Sequence, residues 1–303
     1  MVVTHASLVP AGPAAVTVGN FDGVHRGHRA LLDRVQESAR KLGIASCVLT
    51  FEPHPREVFA GEAAPARLTR LRDKLELSAA AGIGRVHLAR FDERFAALPA
   101  QRFIDEVLVA GLGVRWLLVG HDFRFGERRA GDFALLERAA GRSGFALESM
   151  PDVQLEGDRV SSSAVREALR AGDLVRAERL LGHPYVISGR VAHGAKLGKS
   201  LGFPTANIVL RRPPPLSGIF VVDVARYGRG VASVGRRPTV NPVDVPLLEV
   251  HLFDRDADLY GEHLQVRFLQ KLRDEEKYGT LEQLKSAIAR DARQAREYFA
   301  KHG

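Results

Sequence analysis

From residue 14 onward the chain alternates short apolar runs with amphipathic stretches. AAVTVG is followed by RALLDRVQESARKLG, where Leu31, Leu32, Val35, Ala39 and Leu42 recur at helical spacing and Gly43 marks the stop. IASCVLTF predicts a second strand, RLTRLRDKLELSAAAG a second helix and RVHLARF a third strand. AQRFIDEVLVAGLG reads as helix, VRWLLVG as strand, GDFALLERAAGRSG as helix and FALESM as a last strand. This βαβα order predicts an α/β fold: a doubly wound parallel sheet with helices on both faces. Ligands of such sheets bind beyond the carboxyl ends of the strands. The loops expected there, GNFDGVH, EPHPR and GHDFRFG, are polar and marked by glycine or proline, and they converge on one sheet edge.

The second part of the chain changes period. SSSAVREALRAGD and LVRAERLLG predict two short helices ending at Gly182. From Tyr185 the pattern is β-like: YVISGRVAHG, GIFVVDVARYG, RGVASVG, PLLEVHLFD and EHLQVRFLQKLR, separated by Gly, Pro and Asp turns. It predicts a small antiparallel barrel or sandwich. TLEQLKSAIARDARQAREYFAKH predicts a closing helix, with Thr280 and Gln283 as a capping box and Leu281, Leu284, Ile288, Ala295 and Phe299 near one face. Two domains are expected, residues 1–184 and 185–303, which also suits a length of 303 residues.

Composition narrows the classes. The single cysteine, Cys47, lies in an apolar run, and one cysteine excludes an intrachain disulfide and any multi-cysteine zinc site. The N-terminal stretch has no basic leader, prolines interrupt it, and no run reaches the ~18 apolar residues of a membrane span. A cytoplasmic protein with no membrane partner is expected. The net charge of +8 divides into 25 basic against 23 acidic residues before Tyr185, and 19 against 13 from there on. The excess is diffuse, and the barrel segment lacks the interleaved aromatics of a single-strand binder, so nucleic acid is not the expected partner.

The stretch VTVGNFDGVHRGH carries the first candidate chemistry. Gly19 and Gly23 bracket a tight turn, and His28 falls near the start of the next helix, where unpaired N–H groups and partial positive charge favour anions. His25 and His28 there suit phosphate oxygens and the charge that builds on a reacting phosphorus. A buried structural pair and a metal pair are the competing readings. The metal reading is weaker: helix-borne zinc histidines usually stand four apart, and no third ligand follows.

GVHRGH resembles the HxGH signature of nucleotidyltransferases. Together with LTFEPHPREVF, LVGHDFRFGERRAGD and RVSSSAVREAL, in that order, it resembles the adenylyltransferase module of bacterial-type bifunctional riboflavin kinase/FAD synthetases. The resemblance implies that ATP and its phosphates meet Gly19, Phe21, Asp22, His25, His28, Ser162, Ser163 and Arg166. The serine-rich motif would complete the ATP site opposite HxGH. Flavin is implied at Phe51, Asp122, Phe123 and Arg124. From the residues alone, the serines also suit a helix cap, and the phenylalanines also suit a core.

GAKLGKSLGFPTANI supplies Gly194 and Gly198 for close backbone approach and Lys196 and Lys199 for phosphate charge, without Walker A spacing. With PPPLSGIFVVDV, GVASVGRRPTV, LEVHLFDRDADLYG and FLQKLRDEEKYGTLEQL it resembles the riboflavin kinase module of the same family, a barrel closed by a long helix. The resemblance implies that Thr205 and Asn207 bind Mg²⁺ and ATP, that Glu249 is the catalytic base, and that Arg273 lies near flavin and nucleotide. Ser233 and Arg236 depart from the family's pattern, where an asparagine and a smaller polar residue are expected. The activity implied is two transfers from ATP: phosphorylation of riboflavin to FMN, then adenylylation of FMN to FAD with release of pyrophosphate. The alternative keeps one activity and uses the other module for flavin binding.

Overall fold

The computed structural model describes residues 1–5, 12–193, 201–237, 245–255 and 259–302. They divide into two compact units, residues 1–65 with 71–161, and residues 66–70 with 162–303.

The first unit is built on a six-stranded sheet: β1 (Val2–His5), β2 (Ala14–Val18), β3 (Ala45–Glu52), β4 (Arg85–Arg90), β5 (Val114–Gly120) and β6 (Ala146–Met150). Their order is β1-β4-β3-β2-β5-β6, and every neighbouring pair is parallel. The doubly wound sheet expected from the alternation is therefore present, with β1 added at one edge. Apart from β1, the strand order reverses between β2 and β5, the crevice where such sheets bind ligands. Because β3, β2 and β5 are neighbours, the three loaded loops leave adjacent strands on the same edge.

Helices cover both faces. Helix α1 (Arg26–Leu42) buries Leu32, Val35 and Ala39 and stops at Gly43, whose left-handed φ of 65° returns its N–H to the last turn. The short α2 spans Pro55–Ala60 and α3 spans Leu71–Ala80. Leu32 of α1 shares one cluster with Phe21, Val24, Val48, Ala81 and Val86, with Leu75 and Leu77 of α3 packed against it. On the opposite face Val16, Leu49 and Leu117 pack on Ile104, Leu108 and Leu136. After the turn α4 (Glu93–Ala96), the segment read as one helix starts as α5 (Ala100–Arg102) and continues as a π-helix over Phe103–Gly111. Helix α6 (Phe133–Ser143) precedes β6, and a small hairpin, β7 (Gln154–Leu155) with β8 (Asp158–Arg159), follows it.

In the second unit, α7 (Ser162–Ala171) and α8 (Leu174–Leu181) precede a closed antiparallel barrel. Its strands are β9 (Val186–Ala192), β10 (Ala206–Val209), β11 (Gly218–Val224), β12 (Gly228–Arg237), β13 (Val245–Leu252) and β14 (His263–Arg273), in the order β10-β13-β12-β11-β14-β9. Closure removes every sheet edge. Alternation sorts the side chains: Leu248, Val250, Leu264, Val266 and Phe268 fill the inside, while Glu249 and His251 point outward. Helix α9 (Leu281–His302) lies on the outer wall, where Ala292, Ala295 and Phe299 meet Val221, Val231 and Phe253. Its start is capped as expected: the Gln283 N–H donates to Thr280 Oγ1 at 3.2 Å, and the Gln283 side chain accepts the Gly279 N–H at 3.0 Å. Leu281 departs from the expected apolar face and is exposed, because the helix meets the barrel only from Leu284 onward.

Candidate active sites

The turn after β2 presents the histidine pair at the start of α1. His25 is the N-cap of α1, and its Nδ1 accepts the N–H of His28 at 3.2 Å. A neutral His25 therefore carries its proton on Nε2. The two rings stack with centroids 3.6 Å apart and an interplanar angle of 14°. Gly27 fits this arrangement because a Cβ there would lie 3.2 Å from the His25 ring and 3.5 Å from the Val160 carbonyl. Phe21, 1 % exposed with φ of 48°, packs its ring 5.0 Å from that of His28. Gly19 leaves space for that ring, and Asp22 is buried in the same turn.

Burial, the His25 imidazole and the Lys74 ammonium hold His28 well below the usual 6.5, so it is neutral near pH 7. Its Nδ1 is buried without a hydrogen-bond partner, as are Thr17 Oγ1 and Asn20 Oδ1. Buried polar atoms of this kind ordinarily have partners. Three of them at the end of β2 mark a place suited to a polar ligand.

The flavin candidates surround the neighbouring strand ends. Phe51, near the end of β3, packs edge-on against Phe91 and Phe95. Phe59, 71 % exposed, packs edge-on against Phe91 and extends the aromatic surface outward. After β5, Phe123 stacks on buried Phe125 at 5.4 Å. Phe125 exchanges two backbone hydrogen bonds with Gly131, where a side chain would strike the Phe125 ring. Asp122 accepts from Arg159 at 3.0 Å, and Arg124 pairs with Asp132, the N-cap of α6, at 3.3 Å.

Ser162 and Ser163 open α7 in the second unit. Arg166 of the same helix is buried, and its Nε donates to the Ala66 carbonyl at 2.6 Å.

The second unit holds a cavity of about 320 Å³ on the outer barrel wall beside the first turns of α9. Glu249 on β13 stands opposite Asn207 on β10 and Ser233 on β12 in the strand register. Cross-strand partners project to the same face, so sequence positions far apart meet there. Thr205, Glu249, His251 and Arg273 line the cavity. Asn207 is 6 % exposed, and its Oδ1 has no hydrogen-bond partner. An orphaned amide oxygen at the strand position facing Glu249, with the Thr205 hydroxyl and the Glu249 carboxylate lining the cavity, supplies hard-oxygen donors of the kind Mg²⁺ takes. The residues present therefore fit the metal.

Arg273 is held rigidly. Its Nε and Nη2 donate to the two oxygens of Asp291 on α9 at 2.9 and 2.6 Å. Ser233 donates to Glu275 at 3.2 Å, and burial raises the Glu275 carboxyl above its ordinary value. His251 donates from Nδ1 to the Pro204 carbonyl, and burial lowers its basicity. Gly194, Lys196, Gly198 and Lys199 lie outside the described residues, as does the Arg236 side chain.

Several residues here had no signal of their own in the sequence. Lys74 and Asp291 sit on amphipathic helices, where a charged residue ordinarily faces water, yet both are buried. Asn20 and Thr17 adjoin a motif whose other members draw attention first.

Known proteins match both halves. A family model for FAD synthetase matches residues 10–164, and one for riboflavin kinase matches residues 181–299. The bifunctional riboflavin kinase/FMN adenylyltransferase of Escherichia coli K12 is 50% identical over 302 residues, covering 98% of this chain and 96% of that protein. The enzyme of the same description from Pseudomonas fluorescens is 50% identical over 288 residues, covering 94% and 92%. A crystal structure described as a macrolide-efflux protein from Streptococcus pneumoniae superposes with a TM-score of 0.82 at 28% identity, covering 98% of this chain and 99% of that one. Among the described residues here, no helix is long and apolar enough to cross a membrane. With both modules in order and half of all residues shared along nearly the whole length, the chain belongs to the bifunctional riboflavin kinase/FMN adenylyltransferase family.

Proposed function

We propose that this chain makes FAD in two ATP-consuming steps, phosphorylating riboflavin and then adenylylating the FMN formed. Phosphorylation belongs to residues 185–303 and adenylylation to residues 1–184. The substrates are small molecules handled in the cytoplasm, and the chemistry calls for neither a nucleic acid nor a membrane.

In the first step the primary hydroxyl of riboflavin attacks the γ-phosphorus of ATP. The new O–P bond forms as the bond to ADP breaks, and the hydroxyl proton passes to Glu249. A positioned carboxylate of this kind contributes typically ~10²–10⁴-fold. Thr205 and Asn207 would hold Mg²⁺, whose charge would offset that of the phosphates. Arg273, fixed by Asp291, contributes a positive charge that does not need to reorganise. Gly194, Lys196, Gly198 and Lys199 are assigned to the same phosphates from the sequence alone.

In the second step a phosphate oxygen of FMN attacks the α-phosphorus of ATP, and the bond to pyrophosphate breaks. No proton is lost from the nucleophile, so the site needs charge stabilisation rather than a base. His25, through Nε2–H, and His28 donate to the polyphosphate at the start of α1, where the backbone N–H groups add their partial charge. Gly19, Phe21 and Asp22 shape the turn, and Ser162, Ser163 and Arg166 contribute further phosphate contacts. Phe51, Asp122, Phe123 and Arg124 hold the flavin, with exposed Phe59 extending the apolar surface its ring system needs.

The observation carrying this reading is the presence, in one chain, of a stacked imidazole pair at a helix start and of Glu249 aligned with an orphaned Asn207 oxygen. Incubation of the purified protein with riboflavin, ATP and Mg²⁺, followed by chromatography of the flavins, tests it. Both FMN and FAD are expected. A single product would instead favour one active module with a flavin-binding companion.

A further inference from the structure

We propose that Lys74 is a phosphate-holding residue of the adenylyl-transfer pocket, a cationic group beside the two imidazoles. The proposal deepens the adenylylation reading above and rests on it.

Lys74 belongs to α3 and is only 4 % exposed. A lysine on an amphipathic helix ordinarily extends its ammonium into water, and burying that charge is costly unless the surroundings use it. Its Nζ lies 3.4 Å from Thr50 Oγ1 on β3. That hydroxyl donates to the backbone carbonyl of Asn20 at 3.2 Å. The ammonium is thus one hydroxyl away from the turn that carries the histidines.

The same face of the sheet supplies the rest of the pocket. Thr50 shares strand parity with Val48, which packs in the cluster joining α1 and the end of α3 beneath Phe21 and Val24. Thr17 has the parity of Ala15, which packs on Val35 of α1. Thr17 Oγ1 and His28 Nδ1 on this face are buried and lack partners. The Lys74 charge also reaches His28, contributing to its depressed basicity. Positive charge and unmet polar atoms gathered at the end of β2 suit a polyanion that enters from outside and satisfies them together. Two phosphate groups present that chemistry, ATP's polyphosphate and the monophosphate of FMN. The start of α1 favours the former, because its N–H groups and both imidazoles converge there.

FMN adenylylation by Lys74→Met and Lys74→Arg tests this. Wild type comes first: if it makes no FAD from FMN and ATP, the adenylylation reading fails and the proposal falls with it. If it does, Lys74→Met is expected to lose about ten- to a hundredfold in kcat/KM for ATP, the scale of a charge-assisted contact. The KM for FMN should stay within about twofold, inhibition by inorganic pyrophosphate should weaken, and Lys74→Arg should recover much of the loss. An ATP kcat/KM within about twofold of wild type would overturn the proposal. So would equal losses toward ATP and FMN with a lowered melting temperature and no recovery in Lys74→Arg. If Lys74→Met fails to fold, wild-type protein labelled at the lysine ε-carbons gives the answer by NMR. Pyrophosphate should shift the Lys74 resonance, and an unmoved resonance at saturating pyrophosphate would refute the assignment.

Discussion

Asp291, on the closing helix, grips Arg273, on the last barrel strand, through two hydrogen bonds of 2.9 and 2.6 Å. The two groups are 18 residues apart, and the pair ties the orientation of α9 to a charge lining the cavity on the barrel wall. Removing one partner of a buried pair leaves the other uncompensated. Asp291→Ala is therefore expected to destabilise the second unit by about 3 kcal/mol and to depress riboflavin phosphorylation. Chemical denaturation alongside the kinase assay checks this, with FMN adenylylation as the internal reference.

Asn207 separates stability from activity. Its buried Oδ1 has no partner, and an unmet buried acceptor costs about 1–3 kcal/mol. Asn207→Leu should leave stability unchanged or raise it by about 1 kcal/mol, while riboflavin phosphorylation falls steeply. Parallel thermal melts and kinase assays across a Mg²⁺ titration distinguish this from a purely structural asparagine, whose replacement would lower stability and leave the metal dependence alone.

Gly27 owes its place to the His25 ring, 3.2 Å from where a Cβ would stand. Gly27→Ala requires that ring to shift by a few tenths of an ångström. Small misplacements of reacting groups cost up to ~10² in rate. A loss of at least about tenfold in FMN adenylylation is expected, with riboflavin phosphorylation unchanged. The ratio of FAD to FMN formed from riboflavin reads this directly.

His28 makes stability depend on pH. Burial, His25 and Lys74 depress its basicity in the folded protein, whereas the unfolded chain binds the same proton at about pH 6.5. The unfolded state then carries more protons below that value, so the stabilisation is complete above about pH 6.5 and is lost as pH falls toward the folded value. The loss is at most about 1.4 kcal/mol per pH unit. Denaturant midpoints at about pH 7.5 and 5.5 should fall further for wild type than for His28→Gln; equal falls would show that His28 does not titrate this way.

Much of this fold is legible in the sequence. The period-2 and period-3.6 patterns predicted five parallel strands and five barrel strands because each element buries one face or both. The glycines and histidines of the turn after β2 mark it as a candidate phosphate site, and the structure brings the two imidazoles together there. Strand β10 went unread because Ala206–Val209 is only four residues long and follows Pro204 in a glycine-rich stretch. Strand β1 pairs only with β4, more than 80 residues away, and no local pattern encodes that. Lys74 and Asp291 were illegible for a related reason: burial of a charge on an amphipathic helix is decided by what packs over it. The facing of Glu249 by Asn207 and Ser233 emerged only from strand register.

Two separate pockets, one built on His28 and one on Glu249, are the centre of this account. The most direct measurement is the flavin product profile of two variants given riboflavin or FMN with ATP and Mg²⁺. His28→Ala should accumulate FMN from riboflavin and form no FAD, while Glu249→Ala should form no FMN from riboflavin yet convert supplied FMN to FAD. Loss of the same product in both variants would contradict it.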